Sequence, residues 1–374
     1  MRDDPDEGML SWDETVFRDE HVFEIDYVPE TFEHRETQLE SLKYALRPAV
    51  RGSRPLNTMV RGPPGTGKTT AVQKLFGELG AQSGVQTVRV NCQVDSTRYA
   101  VFSRIFEHIF EYEPPSSGIS FKKLFGQITD RLVEEEQVLA VALDDVNYLF
   151  YENEVSDTLY SLLRAHEAHT GAKIGVVVVS SDLSLDVIDE LDDRVQSVFR
   201  PEEVYFPVYG VGEIVDILRE RVRRGFHEGV VGTAELDRVA ELTAESGDLR
   251  VGIDLLRRAG LHAEMRASRT VTNEDVEAAY EKSKYVHLSR SLQGLSDRER
   301  ELVRVIAEHD GSQAGEVYEA FHDETDLGYT RYSEIVNKLD RLGLVDADYA
   351  EIEGRGRSRS LSLAYDSEAV LERL

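Results

Sequence analysis

The sequence predicts an α/β protein with a helix-covered parallel sheet, an all-helical domain and a smaller domain of helices and a hairpin. Near-continuous Val, Ile and Leu runs over 87–90, 138–143 and 174–180 alternate with helical segments, as in parallel strands buried on both faces. A glycine-rich loop at 62–69 separates a short, partly apolar run at 56–61 from a helical pattern at 69–79. The loop therefore joins the end of a buried strand to the start of a helix.

Four segments differ in pattern along the 374 residues. Residues 1–20 are predicted to be a flexible acidic tail, and 21–206 carry the alternation of strands and helices. Residues 207–285 show only helical patterns, at 211–224, 233–246, 249–267 and 272–281, which predicts an all-helical domain. Residues 286–374 combine helical patterns at 297–308, 313–321 and 330–342 with an alternating stretch at 345–364. That combination predicts a third domain, of three helices followed by a β-hairpin.

The composition excludes several classes of protein. No apolar run approaches the ~20 residues that span a membrane, and the acidic N-terminus lacks the apolar region of a secretion signal. Cys92 is the single cysteine, so no intrachain disulfide can form and a reducing cytosol is expected. The net charge of −28, with Arg far more frequent than Lys, predicts a high-salt cytosol, because salt at ~1 M screens charges over about 3 Å.

Residues 62–69 match the complete phosphate-binding pattern G-x-x-x-x-G-K-[ST]. Backbone N–H groups in such a loop surround the phosphates of a nucleotide at a helix N-terminus. Lys68 adds a positive charge, and the Thr69 hydroxyl is expected to ligate Mg²⁺. A chance match in a glycine-rich turn is the alternative, which the flanking strand and helix disfavour. The predicted ATP- or ADP-binding residues here are Gly62, Pro63, Pro64, Gly65, Thr66, Gly67, Lys68, Thr69 and Thr70.

Polar residues follow two of the three strongest predicted strands. Asp144 and Asp145 follow the apolar strand at 138–143, the form of a Walker B element. Asp144 is expected to hold Mg²⁺ together with Thr69, and Asp145 to orient or polarise the attacking water. Ser181 follows the strand at 174–180 and is the candidate contact to the γ-phosphate or the water. An ordinary acidic loop and a turn-forming serine are the alternatives.

Two arginines are candidate contacts to the γ-phosphate. Arg194, in Leu191-Asp192-Asp193-Arg194-Val195, lies where an arginine finger could reach the site of a neighbouring subunit. Arg250, in Gly247-Asp248-Leu249-Arg250, opens a helix of the all-helical domain and could report the nucleotide state by moving with it. The predicted catalytic set is thus Lys68, Asp144, Asp145, Ser181, Arg194 and Arg250. An exposed arginine or a surface ion pair is the alternative at both arginines.

The C-terminal segment carries the candidate DNA-binding residues. The pattern at 330–342 places Tyr332, Ile335, Val336, Leu339 and Leu342 on a core face. Its opposite face offers Thr330, Arg331, Ser333, Asn337 and Lys338, suited to base edges in the major groove, with Glu334 fitting an ordinary solvated face better. Arg355, Arg357 and Arg359 alternate along a predicted hairpin, where they could meet phosphates or a minor groove. This is the sharpest basic cluster in an acidic chain.

The chain resembles the AAA+ ATPases, and more narrowly the archaeal Orc1/Cdc6 replication-initiator family, over roughly 21–364. Beyond the motifs above, the resemblance rests on further sequences that occur in the family's order. They are Tyr27-Val28-Pro29 with Phe32-Glu33-His34-Arg35, Asn91-Cys92, Ser180-Ser181-Asp182-Leu183 and Asp254-Leu255-Leu256-Arg257-Arg258-Ala259.

The resemblance implies an ATPase that binds double-stranded origin DNA and recruits or loads an MCM-type replicative helicase, with other copies or paralogues on the DNA. It implies that 207–285 form a helical lid domain and 286–374 a winged-helix DNA-binding domain. It also implies adenine-side contacts at Tyr27, Val28, Pro29 and Arg35. It also places a DNA-contacting insertion after Asn91-Cys92, with Arg98, Arg104, Lys122 and Lys123 as candidates. Two ordinary surface helices are the alternative for this insertion.

Two departures from the family pattern predict slow, switch-like hydrolysis. Many members have Asp-Glu where this chain has Asp144-Asp145, and the strand-tip residue is usually Asn where this chain has Ser181. Neither change affects nucleotide binding. Two rival functions stay open: a paralogue acting as a transcriptional or plasmid regulator, and a Holliday-junction branch-migration motor, which the same departures disfavour.

Overall fold

The chain folds into two compact units, Met1–Thr272 and Asn273–Leu374. The computed structural model describes residues 15–24, 26–82, 84–115, 119–183, 185–293, 295–341, 344–352 and 356–374. None of the helices within these ranges is long and apolar enough to cross a membrane.

A parallel five-stranded sheet is the centre of the first unit. Its strands are β1 (Thr58–Arg61), β2 (Val85–Asn91), β3 (Val138–Asp144), β4 (Lys173–Ser180) and β5 (Glu202–Tyr205). They lie in the order β2-β3-β4-β1-β5, and every pair is parallel. β3 is buried along its whole length, as its uninterrupted apolar sequence predicts. The predicted α/β fold with a parallel sheet is confirmed.

Helices cover both faces of this sheet. They are α1 (Glu36–Val50), α2 (Lys68–Gly80), α3 (Arg98–Phe110), α4 (Phe121–Glu134), α5 (Asn147–Tyr151), α6 (Val155–Leu163), α7 (Ala165–Ala168) and α8 (Asp193–Gln196). One core joins α1 and α2 to the sheet, and a second core joins α3, α4 and α6 to its other face. The polar residues at the carboxyl ends of the strands consequently gather at one edge.

The lid of the first unit consists of α9 (Val211–Gly225), α10 (Thr233–Ser246) and α11 (Leu249–Met265). An N-terminal segment packs on it: Phe17 pairs with Phe226 in an antiparallel bridge, and a short 3-10 helix, Glu20–Phe23, follows. Val16, Phe17, Val22 and Phe23 are buried. The prediction of a loose tail is therefore wrong for residues 15–20, whereas 1–14 lie outside the described residues.

The second unit combines helices with an antiparallel hairpin. Its elements are α12 (Asn273–Gln293), α13 (Asp297–Glu308), α14 (Ala314–Thr325), α15 (Tyr329–Arg341), β6 (Val345–Ile352), β7 (Gly356–Leu363) and α16 (Ser367–Leu371). This arrangement is consistent with the predicted winged helix. The predicted boundary between residues 285 and 286 falls inside α12, whereas the two units divide between Thr272 and Asn273.

Candidate functional site

The phosphate-binding loop runs from the end of β1 into α2, as the sequence predicts. Gly65 has φ +69° and Gly67, the residue before α2, has φ +90°, a conformation that favours glycine. A Cβ on Gly65 would lie 1.9 Å from Asp248 Oδ1, so the lid packs directly on the loop. The first N–H groups of α2 have no partner within the helix, and they form the positive end of its dipole. The loop is thus shaped to receive an anion.

Lys68 is buried at the start of α2 and points back across the loop. Its Nζ donates hydrogen bonds to the carbonyl oxygens of Gly62 at 2.8 Å and Pro63 at 2.7 Å. Burial lowers the pKa of Lys68 to about 8; the nearby charge of Arg250 also lowers it, and Asp145 and Asp144 partly offset the shift. The Lys68 amine therefore lies beside the loop and loses its proton at a lower pH than an ordinary lysine does.

Thr69 and Asp144 meet as the metal prediction requires. Thr69 Oγ1 donates to Asp144 Oδ1 at 3.1 Å, across 75 residues of sequence. Asp144 is only 4% exposed. A hydroxyl and a carboxylate are oxygen ligands of the kind Mg²⁺ prefers, so this pair fits the ion.

The other oxygen of Asp144 binds an arginine that the sequence analysis did not single out. Arg89 Nη1 donates to Asp144 Oδ2 at 2.9 Å. Arg89 lies on β2, whose register places Asn91 beside Asp144. The alternation of apolar and polar residues along β2 was the available signal. It places the Arg89 side chain on the opposite face of the sheet from Val88 and Val90.

Asp145 and Ser181 also lie together, at the ends of the neighbouring strands β3 and β4. Asp145 has φ +53°, and its carboxyl interacts electrostatically with the Ser181 side chain. Burial raises the pKa of Asp145, and the negative charge of Asp144 raises it further. A carboxylate with a raised pKa is a stronger base than an ordinary aspartate, which suits it to polarise a water molecule.

Arg250 lies on the lid near this cluster. Asp248 accepts the N–H of Arg250 at the start of α11, and it also accepts Arg250 Nε at 3.0 Å and Nη2 at 2.6 Å. The charge of Arg250 contributes to the pKa shifts of Lys68 and Asp145. The structure thus brings Arg250 close to the loop, paired with the aspartate that packs on Gly65.

Arg35, one of the predicted adenine-side residues, connects the phosphate-binding loop to the segment that leads into the lid. Arg35 is 2% exposed and donates to the carbonyl oxygens of Thr66 at 3.2 Å and Pro207 at 2.6 Å. Its guanidinium lies 3.6 Å from the ring centroid of Tyr209. These contacts assign Arg35 to holding the loop in shape.

The segment from Tyr27 to Pro29 makes comparable contacts. The Tyr27 ring lies 4.4 Å from the guanidinium of Arg221 on α9, and Lys74 on α2 donates to the carbonyl oxygen of Pro29 at 3.4 Å. Val28 is partly exposed. Arg221 was also missed, although a charged residue at a core-facing position of an amphipathic helix was a usable signal.

Arg194 lies apart from these residues, on α8. It is about half exposed and is paired with Asp157 at 2.5 Å and Asp192 at 3.0 Å. Asp157 is shared with Arg98 of α3, at 3.5 Å. This position leaves Arg194 accessible to another molecule.

The candidate DNA contacts of the first unit lie on α3 and α4. Arg98 stacks on the Phe121 ring at 3.5 Å, and Arg104 is paired with Asp95 and Glu107. Lys122 and Lys123 are exposed in the first turn of α4. The insertion therefore offers two exposed lysines and two arginines already held in contacts.

In the second unit, α15 buries its apolar face as the sequence predicts. Tyr332, Ile335, Val336 and Leu339 are buried, whereas the predicted Leu342 lies outside the described residues. Thr330 is exposed and Ser333 is half-buried.

Several basic candidates of this unit make ion pairs or hydrogen bonds. Arg331 pairs with Glu334 at 2.7 Å, and Lys338 pairs with Glu299 of α13 at 2.8 Å. Arg359 donates to Asn337 at 2.8 Å and to Asp340 at 3.4 Å, which ties the hairpin to α15. Arg357 lies on β7 opposite Glu351, and Arg355 lies outside the described residues.

The sheet, the phosphate-binding loop and the helical lid define a P-loop ATPase of the AAA class. The chain matches the AAA ATPase domain over residues 31–201 and the Cdc6 AAA+ ATPase-type lid domain over 215–281. It belongs to the archaeal ORC1-type (Orc1/Cdc6) DNA replication protein family, as the sequence resemblance predicts.

Two haloarchaeal relatives and one solved structure carry this assignment. The chain is 76% identical over 375 residues to ORC1-type DNA replication protein 3 of Haloarcula marismortui, covering 100% of both chains. It is 72% identical over 374 residues to ORC1-type DNA replication protein 6 of Halobacterium salinarum, again covering 100% of both. The Aeropyrum pernix ORC1 protein, solved in complex with DNA, is 28% identical with a TM-score of 0.77 and 97% coverage of each chain.

Proposed function

We propose that this replication protein is a nucleotide-controlled initiator. It binds double-stranded origin DNA and recruits or loads an MCM-type helicase, with slow ATP hydrolysis as the switch, in a high-salt cytoplasm. The observation that carries the proposal is the convergence of Lys68, Thr69 and Asp144 at a loop on which the lid residue Asp248 packs.

Nucleotide binding follows from the chemistry of this loop. The loop N–H groups and Lys68 hold the phosphates of ATP or ADP, and the nucleotide lies between the sheet and the lid. Thr69 and Asp144 hold Mg²⁺, which neutralises charge on the phosphates. The segment at Tyr27, Val28 and Pro29 would contact the adenine, and Arg35 holds the loop through its hydrogen bond to Thr66.

Slow hydrolysis follows from Asp145 and Ser181. Asp145 polarises the water, but its side chain is one methylene shorter than glutamate, so its carboxylate stops farther from the reacting water. Ser181 offers that carboxylate a hydroxyl instead of an amide. Both features reduce the alignment on which general-base catalysis depends.

The lid reports the nucleotide state through Arg250. In the structure Arg250 pairs with Asp248, beside the loop. A γ-phosphate competes with Asp248 for this guanidinium, so ATP and ADP favour different lid positions. Arg194, exposed on α8, completes the site of a neighbouring copy or paralogue when protomers line up on DNA.

DNA is held by two surfaces, one in each unit. In the first unit the surface is the α3–α4 insertion with Arg98, Arg104, Lys122 and Lys123. In the second unit it is α15 with the hairpin arginines Arg355, Arg357 and Arg359. The Aeropyrum pernix relative was solved in complex with DNA, which supports DNA binding by this chain.

The test selects binding sites from random and genomic DNA at about 1–3 M KCl, where long-range charge effects are screened. It compares wild type with the triple variant R355A/R357A/R359A. A matched control, R51A/R219A/R223A, removes the same charge from exposed arginines of the first unit, outside the proposed DNA surfaces. We expect one repeated motif clustered beside the protein's own gene, retained in the control and lost in the hairpin variant.

Other outcomes contradict the proposal. Sites scattered at promoters would indicate a transcriptional regulator. Capture of branched junctions without sequence preference would indicate a branch-migration motor. Equal loss in both triple variants would show that total charge, and not the hairpin, determines binding.

A further inference from the structure

Arg89 makes a direct ion pair with the acid proposed to hold the metal. Asp144 is 4% exposed, and its two oxygens have different partners: Thr69 on Oδ1 and Arg89 on Oδ2. About one third of the Arg89 side-chain surface is exposed, so Arg89 lies between the buried acid and solvent.

The position of Arg89 follows from the fold. β2 is an edge strand, and it pairs with β3 in a register that puts Arg89 opposite Ala142, two residues before Asp144. Val88 and Val90 enter the core with α3, so the alternating Arg89 faces the side of α2, the helix that carries Thr69. The same sheet geometry that aligns Asp144 with Thr69 brings the guanidinium to the carboxylate.

A guanidinium on Asp144 has two opposing electrostatic effects. A buried carboxylate needs a partner, and Arg89 supplies both a hydrogen bond and a positive charge. The same charge neutralises the carboxylate that attracts Mg²⁺, and it repels the ion itself. Loss of the Arg89 charge therefore leaves Asp144 without a partner in the metal-free site. It also raises the affinity of the site for Mg²⁺.

We propose that Arg89 is a built-in counter-cation that positions Asp144 in the absence of metal and raises the Mg²⁺ concentration needed at the nucleotide site. This inference rests on the proposed function, because it concerns the metal of the same ATPase site. Arg89 acts through Asp144, so it is a positioning residue. With Arg89 in place, nucleotide binds to a charge-balanced site even when Mg²⁺ is scarce.

The test measures the affinity of a fluorescent ADP analogue for the full chain, from EDTA-containing buffer to saturating Mg²⁺. In Arg89→Met and Arg89→Gln, we expect the Mg²⁺ midpoint to fall about tenfold, because one positive charge no longer opposes the ion. In EDTA, nucleotide affinity should fall in the same variants, because neither Mg²⁺ nor Arg89 then offsets the repulsion between Asp144 and the phosphates. Arg89→Lys, which keeps the charge, should resemble wild type. Electron paramagnetic resonance of Mn²⁺ reports the metal affinity directly.

The variant Asp144→Asn provides the control. Adding Arg89→Met to it should shift the Mg²⁺ midpoint much less than in the wild-type background, because only the direct repulsion between Arg89 and the ion is then removed. Arg89→Gln keeps a hydrogen-bond donor, so it replaces Arg89→Met if that protein does not fold. An unchanged or raised Mg²⁺ midpoint in the neutral variants overturns the inference, as does an equal shift in the Asp144→Asn background. Failure of wild type to bind nucleotide would instead overturn the proposed function.

Discussion

Lys68 is a buried amine whose charge changes in a pH range where nucleotide binding can be measured. Burial lowers its pKa to about 8, and a phosphate beside it favours the charged form. Binding then takes up a proton whenever the pH is above the pKa of the free protein. We expect nucleotide affinity to fall above about pH 8, by up to about tenfold per pH unit. Calorimetric titrations in buffers of different ionisation enthalpy measure both the affinity and the proton uptake.

Lys68→Arg is the control for this prediction. Arginine stays protonated throughout the accessible range, so the variant should lose the pH dependence even if its affinity is lower. The same affinity for wild type at pH 7.5 and pH 9.5, without proton uptake, would contradict a depressed pKa at Lys68.

Asp145 is the residue that we expect to limit hydrolysis. Asp145→Glu lengthens the base by one methylene, and misplacement by about 1 Å can cost up to about 10²-fold in rate. We expect this variant to hydrolyse ATP about tenfold faster in single turnover. Asp145→Asn, which removes the base, should slow hydrolysis by about 10²-fold. Nucleotide affinity should stay near wild type in both.

The pH profile gives a second reading of Asp145. The carboxylate works in its ionised form, and burial with the charge of Asp144 raises its pKa. Hydrolysis should therefore decline as pH falls through a value above that of an ordinary aspartate. A glutamate variant no faster than wild type would mean that another step limits turnover; the left-handed backbone at Asp145, which aspartate tolerates well, is then the feature to examine.

The residues that could be predicted belong to contiguous sequence motifs. Lys68 and Thr69 lie in one loop pattern, and Asp144 ends an apolar strand, so spacing alone indicated their meeting. The alternation along β2 indicates the face of the sheet on which Arg89 lies, but its pairing with Asp144 could not be predicted, because it depends on the register of β2 against β3. The contact of Asp248 with Gly65 likewise depends on how the lid packs.

At the scale of elements, the N-terminal segment contributes to the stability of the lid. Phe17 is 5% exposed and stacks on Phe226 with ring centroids 4.9 Å apart. A Cβ on Gly260 would lie 2.5 Å from the Phe17 ring, so the ring fills a close-fitting site on α11. Phe17→Ala should lower the free energy of unfolding by about 3 kcal/mol, as other buried phenylalanines do. Thermal and denaturant unfolding measure this loss.

Tyr44→Ala is the matched control, because it truncates an aromatic side chain that is 66% exposed. Its effect should stay within about 0.5 kcal/mol. Equal stability of both variants would mean that the segment from residue 15 is not a stable part of the lid. The sequence predicts a flexible tail at Val16 and Phe17, because two apolar residues in an acidic stretch are too few to show the periodicity of a helix or strand.

Long periodic segments were the most predictable elements. The strands predicted at 138–143 and 174–180 correspond to β3 and β4, and the helix predicted at 233–246 has the bounds of α10. The predicted division at 285/286 fails because α12 continues without a break. Helical periodicity shows where a helix begins, but the domain to which it belongs depends on packing with distant residues.

At the scale of the whole molecule, negative charge is in large excess. The chain has 71 acidic and 43 basic residues. Many described arginines pair with an acid three or four positions away on the same helix, as in Arg104 with Glu107 and Arg331 with Glu334. Such exposed pairs contribute little to stability, and the remaining acids repel one another across the surface.

This repulsion makes stability depend on salt. Raising KCl from about 0.1 M to about 1 M shortens the screening length from about 10 Å to about 3 Å. We expect the thermal unfolding midpoint to rise by about 10 °C over this range and to level off beyond it, because little repulsion is left to screen. NaCl should act equally if screening is the cause. A midpoint that does not change between these concentrations would contradict the prediction. A rise that continues with the same slope to about 3 M would identify ion exclusion from the protein surface as the main effect, because screening is nearly complete by then.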